Sequence, residues 1–421
     1  MRSKLLAGIS VAAALGTGAV LLGAQSRSGP TITPAGVIPE YTKQDAASQL
    51  QAAADVAIAN RLPLLIDKVY YTTGTLDVSA AAGSAFVMKS DGGGQILIAS
   101  GQDMVRYDPT VPALGKIVIS DLSVRNVGPA NTGSVLTVDC TRANVFCTMG
   151  TSTIRDVYAD NVGRLASFRG VGSFHVVDNW LVRPNNSAAV HEDFVDLDGG
   201  TSPADRSCNA GIYIDGNTVI GGALSRVNGC AQGIRWRDNN LGAGYKGIYQ
   251  TNPYYVEQLQ IIHNSMEAWG GGVLIPQSAF DQIEQNAFNE GPVGSYADWH
   301  AMVIGTAHTA NADEIVDHNN VFGFNGAVTD TPIIANIGNG GTFDGNVVGG
   351  VIGSRTHICM QVGTDDSGNT KRNTLKTPPL TVIGNSAWVC GSISALGTAP
   401  FIAQGNQYNL DDGKLASFKR D

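Results

Sequence analysis

The sequence predicts an all-β chain: a right-handed, single-stranded parallel β-helix opened by a short N-terminal capping helix. Three observations predict it. From residue 116 onward a short phrase of alternating apolar residues ending in Asn recurs about every twenty residues. The 421 residues include 52 Gly, nearly double the usual ~7%, so the chain needs many tight turns, and no three-residue period makes it collagen. After one amphipathic stretch near the N-terminus, no helical periodicity returns. Hydrophobic residues at 43% are enough for a core and too many for a disordered chain. A net charge of −9 argues against generic binding to nucleic-acid phosphates.

Residues 1–29 read as an address. Arg2 and Lys4 precede an apolar run from Leu5 to Ala24, and polar Gln25-Ser26 follow. This reads as a secretory signal peptide cleaved near Ala24, with an uncleaved N-terminal anchor as the rival reading, since about 20 apolar residues can span a bilayer. Once a signal is cleaved no membrane span remains. Either reading exports the body to the periplasm, the medium or the cell surface, where disulfides persist. Residues 30–115 hold the cap and the first coils. A helix is expected over 42–60, with Thr42 or Asp45 as its cap, Leu50, Ala54 and Ile58 on one face, and Pro63 ending it. Leu64-Leu65-Ile66, Val69-Tyr70-Tyr71 and Thr75-Leu76-Asp77-Val78 then read as short strands. Residues 116–410 form the solenoid, and 411–421 a polar C-terminal tail.

The repeat carries the fold. Ile212-Tyr213-Ile214-Asp215-Gly216-Asn217 is a clear copy, and others end at Asn126, Asn179, Asn239, Asn264, Asn286, Asn319, Asn346, Asn385 and Asn406. Spacings of 22, 25 and 22 residues separate Asn217, Asn239, Asn264 and Asn286, and 18 separate Asn161 from Asn179. The 38 residues from Asn179 to Asn217 read as two turns, with Asp198 replacing Asn midway, and the 39 from Asn346 to Asn385 also as two. That gives about eleven to thirteen coils. A propeller blade needs about 40 residues, and a leucine-rich repeat needs a helix-sized segment that is missing. The remaining solution is a coil stacked on itself, each strand bonding its equivalent one turn on, about 4.8 Å away. The parallel crossover favours the right hand. Asn recurs because it tolerates the left-handed region and its amide can bond the next coil.

These phrases resemble the right-handed parallel β-helix of the pectin-lyase-like superfamily. Leu50 to Ala59, followed by Leu64-Leu65-Ile66 and Tyr70 to Leu76, resembles that family's capping helix and first coil. The resemblance runs from about residue 42 to 410. It implies a fold that hosts lyases, hydrolases, epimerases, esterases and phage or cell-surface adhesins.

Alternation assigns the faces. Phe174, Val176, Ile212, Ile214, Ile234 and Trp236 point inward, so His175, Tyr213, Asp215, Arg235 and Arg237 point outward. With two turns between Asn179 and Asn217, Asp196 stacks beside Asp215 and Arg237, and residue 193 or 194 beside His175, Tyr213 and Arg235. The run His191-Glu192-Asp193-Phe194-Val195-Asp196-Leu197-Asp198 holds four carboxylates and a His, in a chain only 15% charged. It resembles a His-x-Asp phrase of envelope or carbohydrate-related β-helix proteins. No certain cofactor follows, though Asp193, Asp196 and Asp198 could take Ca2+. The plainer reading is capping carboxylates and surface ion pairs, which stabilise little.

The expected partner is a polysaccharide or cell-surface glycan. In a lyase acting on a uronic-acid polymer, Arg235 and Arg237 neutralise the sugar carboxylate and Tyr213 or His191 removes the adjacent proton. His175, Asp193, Lys246 and Tyr249 line the same groove. In a glycoside hydrolase, Asp196 and Asp215 would serve as acid and base. A third reading is a non-catalytic adhesin that binds glycan without turnover. The arginines favour an anionic ligand and the lyase. Cys208 and Cys230 each lie nine residues before the Asn of their coil, so they should pair. Cys140 pairs with Cys147 across a short loop, and Cys359 with Cys390 by elimination.

Overall fold

Three parallel sheets run along the chain, because each short strand bonds its equivalents one coil before and one coil after. The computed structural model describes Thr31 and residues 44–304, apart from 82, 100, 111–114, 129–131, 144–146, 184–192, 201–207, 253–255, 277, 279 and 290–299. Beyond 304 it describes 315–324, 334–336, 341–350, 360–363, 380–387, 393–396, 401–410 and 414–415. The expectations for residues 1–29, Thr42, His191 and the Cys359–Cys390 pair lie outside these residues.

The first sheet runs through thirteen successive strands from Leu64–Ile66 to Phe401–Gln404. The second runs from Val69–Thr72 to Gln407–Leu410, and the third from Leu76–Asp77 to Ile393–Leu396. The coil number agrees with expectation, but its partition does not. His175 pairs directly with Tyr213, and Trp180 with Thr218, so the 38 residues between Asn179 and Asn217 make one long coil. Asp193–Asp198 is that coil's third-sheet strand, lying between Arg164–Arg169 and Ala223–Asn228. Asp198 therefore replaces no ladder Asn. The step from Asn346 to Asn385 is likewise a single coil, since Val347 pairs with Ser386. The extra length lies between strands and adds no rung.

An Asn ladder joins the coils between the first and second sheets. Asn179 donates its backbone N–H and its side-chain amide to Oδ1 of Asn217, both at 3.0 Å. Asn217 does the same to Asn239, and Asn239 to Asn264. The chain of bonds continues through Asn286, Asn320, Asn346, Asn385 and Asn406. The second amide hydrogen reaches back to a carbonyl, as from Asn239 to Ile214 at 2.7 Å. From Asn179 to Asn385 these amides are buried. The ladder uses Asn320 rather than Asn319, and it starts at Asn179, whose Oδ1 accepts from Val157 N–H. Asn126 and Asn161 stand outside it. The residue before each ladder Asn turns through the left-handed region: Asp178, Asp238, His263, Gln285 and Asn319 have φ between 54 and 58°. At Gly216 the same turn brings Asp178 Oδ1 within 2.3 Å of where a Cβ would sit, so a larger residue there would have to displace that side chain.

Inward positions form one continuous core. Ile154, Val176, Ile214, Trp236, Ile261 and Ile283 share one register position and are fully buried, as alternation predicts. Phe288 and Phe322 stack at 5.3 Å. The helix Ala47–Asn60 covers the N-terminal end with Leu50, Ala53, Ala54, Ala57 and Ile58. It begins five residues later than expected, where Asp45 Oδ1 accepts the N–H groups of Ala47 and Thr73, each at 3.0 Å. Cys140 bonds Cys147 and Cys208 bonds Cys230, as the spacing predicts. In the C-terminal tail, Lys414–Leu415 pairs antiparallel with Asn409 and Leu410. Among the described residues no helix is long and apolar enough to cross a membrane.

Removing one ladder amide should be costly. Asn239→Ala strips the acceptor from Asn217 N–H and Nδ2–H. Two buried donors left unpaired should cost about 2–5 kcal/mol. Chemical denaturation should show that loss. A variant as stable as wild type would mean that water replaces the amide.

Candidate functional site

The central coils carry charged clusters on two sheets. On the first sheet, His175, Tyr213, Arg235, Gln260 and Gln282 occupy one register position on successive rungs, extending the expected column. The His175 and Tyr213 rings lie 4.9 Å apart, and the Arg235 guanidinium lies 4.4 Å from the Tyr213 ring centre. Asp215 grips Arg235 through both carboxylate oxygens. That hydrogen bond, ahead of the opposing effect of burial, raises the Arg235 pKa. Arg237 lies 3.7 Å from Asp215 and 3.3 Å from Asp238. The guanidiniums of Arg235 and Arg237 are thus matched by carboxylates.

Asp193 and Asp196 do not join that column. Their strand belongs to the third sheet, where Asp196 pairs with Arg226 and Arg226 with Tyr249. The Asp196/Asp215 pair expected of a hydrolase is therefore divided between two sheets. The error came from dividing one 38-residue coil into two, which moved a third-sheet strand into the first sheet.

The third-sheet cluster is the denser one. Arg226 Nε donates to Asp196 Oδ1 at 2.9 Å and its Nη2 to Oδ2 at 2.5 Å, while Asp193 Oδ2 lies 3.5 Å from Nε. Arg164 Nε stands 3.7 Å from Asp196. Tyr249 donates its hydroxyl to Asp193 at 2.7 Å. Asp193 and Asp196 are buried, whereas the two arginine side chains keep 27% of their surface. Lys246 shares the register position of Asp193 two rungs on. Its Nζ lies 4.7 Å from the Tyr249 ring centre and 5.0 Å from that of Tyr245. Tyr245 packs its ring against Trp269 at 4.7 Å.

Burial dominates the electrostatics. It pushes the Asp193 carboxyl up to about 6, against the pull of the Tyr249 hydrogen bond. It raises the Tyr249 phenol with help from Asp193, so this hydroxyl stays a donor. It lowers the Lys246 ammonium, which Asp193 partly restores. Burial also works against the Arg226 charge, but the hydrogen bond and charge of Asp196 prevail and raise its pKa. The cluster therefore places carboxylates beneath a rim of two guanidiniums and an ammonium whose proton is loosened.

Asp198 turns elsewhere and accepts from Asn228 at 2.8 Å. Among the described residues no three metal-ligating side chains gather. Arg164, Arg226 and Tyr245 were not singled out from the sequence. The signal for Arg226 is the alternation Leu224-Ser225-Arg226-Val227. It sets Arg226 opposite Asp196 once 193–198 and 223–228 are read as neighbouring strands.

No protein-family model matches this chain, and no curated protein matches its sequence. Similar solved structures include the tailspike protein of Acinetobacter phage vB_ApiP_P1, at 10% identity and TM-score 0.45. That alignment covers 91% of this chain and 59% of the tailspike, so this chain spans under two thirds of its length. The Streptococcus pneumoniae surface adhesin PfbA aligns at 11% identity and TM-score 0.48, covering 93% of this chain and 100% of that one. The A-module of the Azotobacter vinelandii mannuronan C-5 epimerase AlgE6 aligns at 12% identity and TM-score 0.41, covering 87% and 96%.

The raised Asp193 pKa makes a signed prediction. Between its ordinary value of 3.8 and about 6, the folded protein keeps a proton that the unfolded chain has lost. Stability should therefore fall as pH rises through that window, by on the order of 2–3 kcal/mol. Asp193→Asn should flatten the decline in denaturant titrations from pH 4 to 7. Equal slopes in the two proteins would remove Asp193 as the cause. Arg226→Ala should destabilise by about 3–5 kcal/mol at pH 7, because it abandons two buried carboxylates. The same titrations would register it.

Proposed function

We propose that this is an exported β-helix protein that acts as a polysaccharide lyase on a uronic-acid polymer at its third-sheet face. One observation carries the reading: Lys246, its ammonium pKa lowered by burial, sits in the same cluster as Arg226 and Arg164. Elimination needs a cation to neutralise the sugar carboxylate and a base to take the proton beside it. The guanidinium rim suits the first role and the Lys246 amine the second. The proton on the carbon next to the carboxylate passes to Nζ. The electron pair of that C–H bond becomes the new C=C bond, the glycosidic C–O bond breaks, and the departing oxygen takes a proton from water. Tyr249, held protonated and bonded to Asp193, is a donor in this scheme and not the base. Tyr213 and His175 belong to the other face, so the base role expected of Tyr213 passes to Lys246 here. The two disulfides and the leader-like N-terminus support export.

A second reading, glycan binding without turnover, is favoured by the burial of Asp193 and Asp196. They fix the arginines as a static cationic surface. Absorbance near 235 nm separates the two, because elimination creates a conjugated unsaturated uronate. On a panel of alginate, polygalacturonate, heparosan and hyaluronate, one polymer should give rising absorbance. Lys246→Met should cut that rate at least 100-fold, within the range typical of general-base loss, while binding stays within a few-fold. Retention on an anionic polymer with no absorbance change on any would select the binding protein. Neither binding nor absorbance change would sink both readings.

A further inference from the structure

We infer that the second sheet carries a separate binding track for an uncharged polysaccharide, anchored by Tyr158 and Trp180. The two aromatics pair directly on consecutive rungs, and the same register position continues through Thr218, Asn240 and Ser265. With about 4.8 Å per rung, these five positions form a straight line of about 19 Å. Tyr158 is 46% exposed and Trp180 48%. Among the described residues these are the exposed tyrosine and tryptophan.

The composition of the track identifies its occupant. An aromatic face attracts the slightly positive C–H groups on the flat side of a pyranose ring. The Thr218, Asn240 and Ser265 side chains, two of them exposed, offer hydrogen bonds to sugar hydroxyls. No position on the line holds a carboxylate, ammonium or guanidinium, so nothing in it selects a charged polymer. This separates it from the third-sheet cluster with its arginines. Two residues further along the same strands lie Asp160, paired with Arg125 at 3.2 Å, then Val182 and the 38%-exposed Ile220. The apolar surface thus comprises Tyr158, Trp180, Val182 and Ile220. Four residues fall well short of the 20–30 a side, about 800 Å² per partner, of a stable protein interface. Polar side chains and an ion pair bound them on the same face. An extended sugar chain needs no broader contact than this line.

The probes are full-length protein and native affinity gels containing laminarin, pullulan, galactomannan or hydroxyethylcellulose. At least one should retard the protein, equally at 0.1 and 0.5 M NaCl. Combined Tyr158→Ala and Trp180→Ala should weaken that retardation at least tenfold, while Trp180→Phe retains most of it. Both side chains are exposed, so thermal unfolding of the double variant should match wild type. Lys246→Met should leave the retardation unchanged, which keeps this inference independent of the proposed lyase site. No retardation by any of the four polymers would overturn it, as would retardation that ignores the double variant. Concentration-dependent dimerisation abolished by the double variant would also overturn it, by assigning the rings to a second copy of the chain.

Discussion

The Asn-to-Asn amide bond between consecutive coils is the constraint on which the rest depends. A strand bonded only through its backbone can slip along its neighbour, and a one-residue slip turns every side chain to the opposite face. A ladder Asn such as Asn239 donates two hydrogen bonds to the Asn of the following coil and one to a carbonyl of the preceding coil, and does so while buried. A slip would leave those donors unpaired in an apolar setting, at a cost of about 1–3 kcal/mol each. The ladder therefore fixes register as well as cohesion. Inward residues such as Ile214 and Trp236 remain inward because Asn217 and Asn239 hold their coils in phase.

Fixed register makes short side chains into extended arrays. Tyr213 meets Arg235 because their rungs are locked in step, and Asp196 meets Arg226 for the same reason. The two encounters differ in electrostatics. Asp215 is a single buried carboxylate, gripped by a guanidinium that keeps 24% of its side-chain surface. Asp193 and Asp196 sit where water is scarce. Desolvation there sets the proton affinities of Asp193, Tyr249 and Lys246 together. One strand of acidic residues laid under two arginines thereby changes the chemistry of groups contributed by other coils.

The fold was legible because the ladder repeats: nine asparagines a coil apart leave a periodic mark that composition alone cannot mimic. The capping helix was legible from Leu50, Ala54 and Ile58, which face the core as their spacing required. Both described disulfides were legible, Cys208–Cys230 from equal offsets to a ladder Asn and Cys140–Cys147 from the short loop between them. Outer-face neighbours within the first sheet were readable too, from alternation anchored on the same Asn. The third sheet was not. No residue type marks its strands at regular intervals, and its distance from the preceding ladder Asn varies with the segment between. Asp193 and Asp196 were noticed as acidic residues but assigned to the wrong sheet. Arg226, in an ordinary alternating stretch, gave no sign of its role without its partner strand.

The ladder meters the chain at one point per coil and leaves the distance between points unregulated. Consecutive ladder residues lie as near as 21 residues apart, from Asn385 to Asn406, and as far as 39, from Asn346 to Asn385, with no change in the bonds joining them. Lengthening a flexible segment costs little, since closure entropy grows only logarithmically. Insertions between strands thus leave the frame intact, and new surface can be gained by length change as readily as by substitution. The Asn179–Asn217 coil, which supplies the acidic strand, is one such long excursion. Solenoids that share this frame can diverge in ligand by exchanging excursions of this kind, while their cores evolve on a separate and slower schedule.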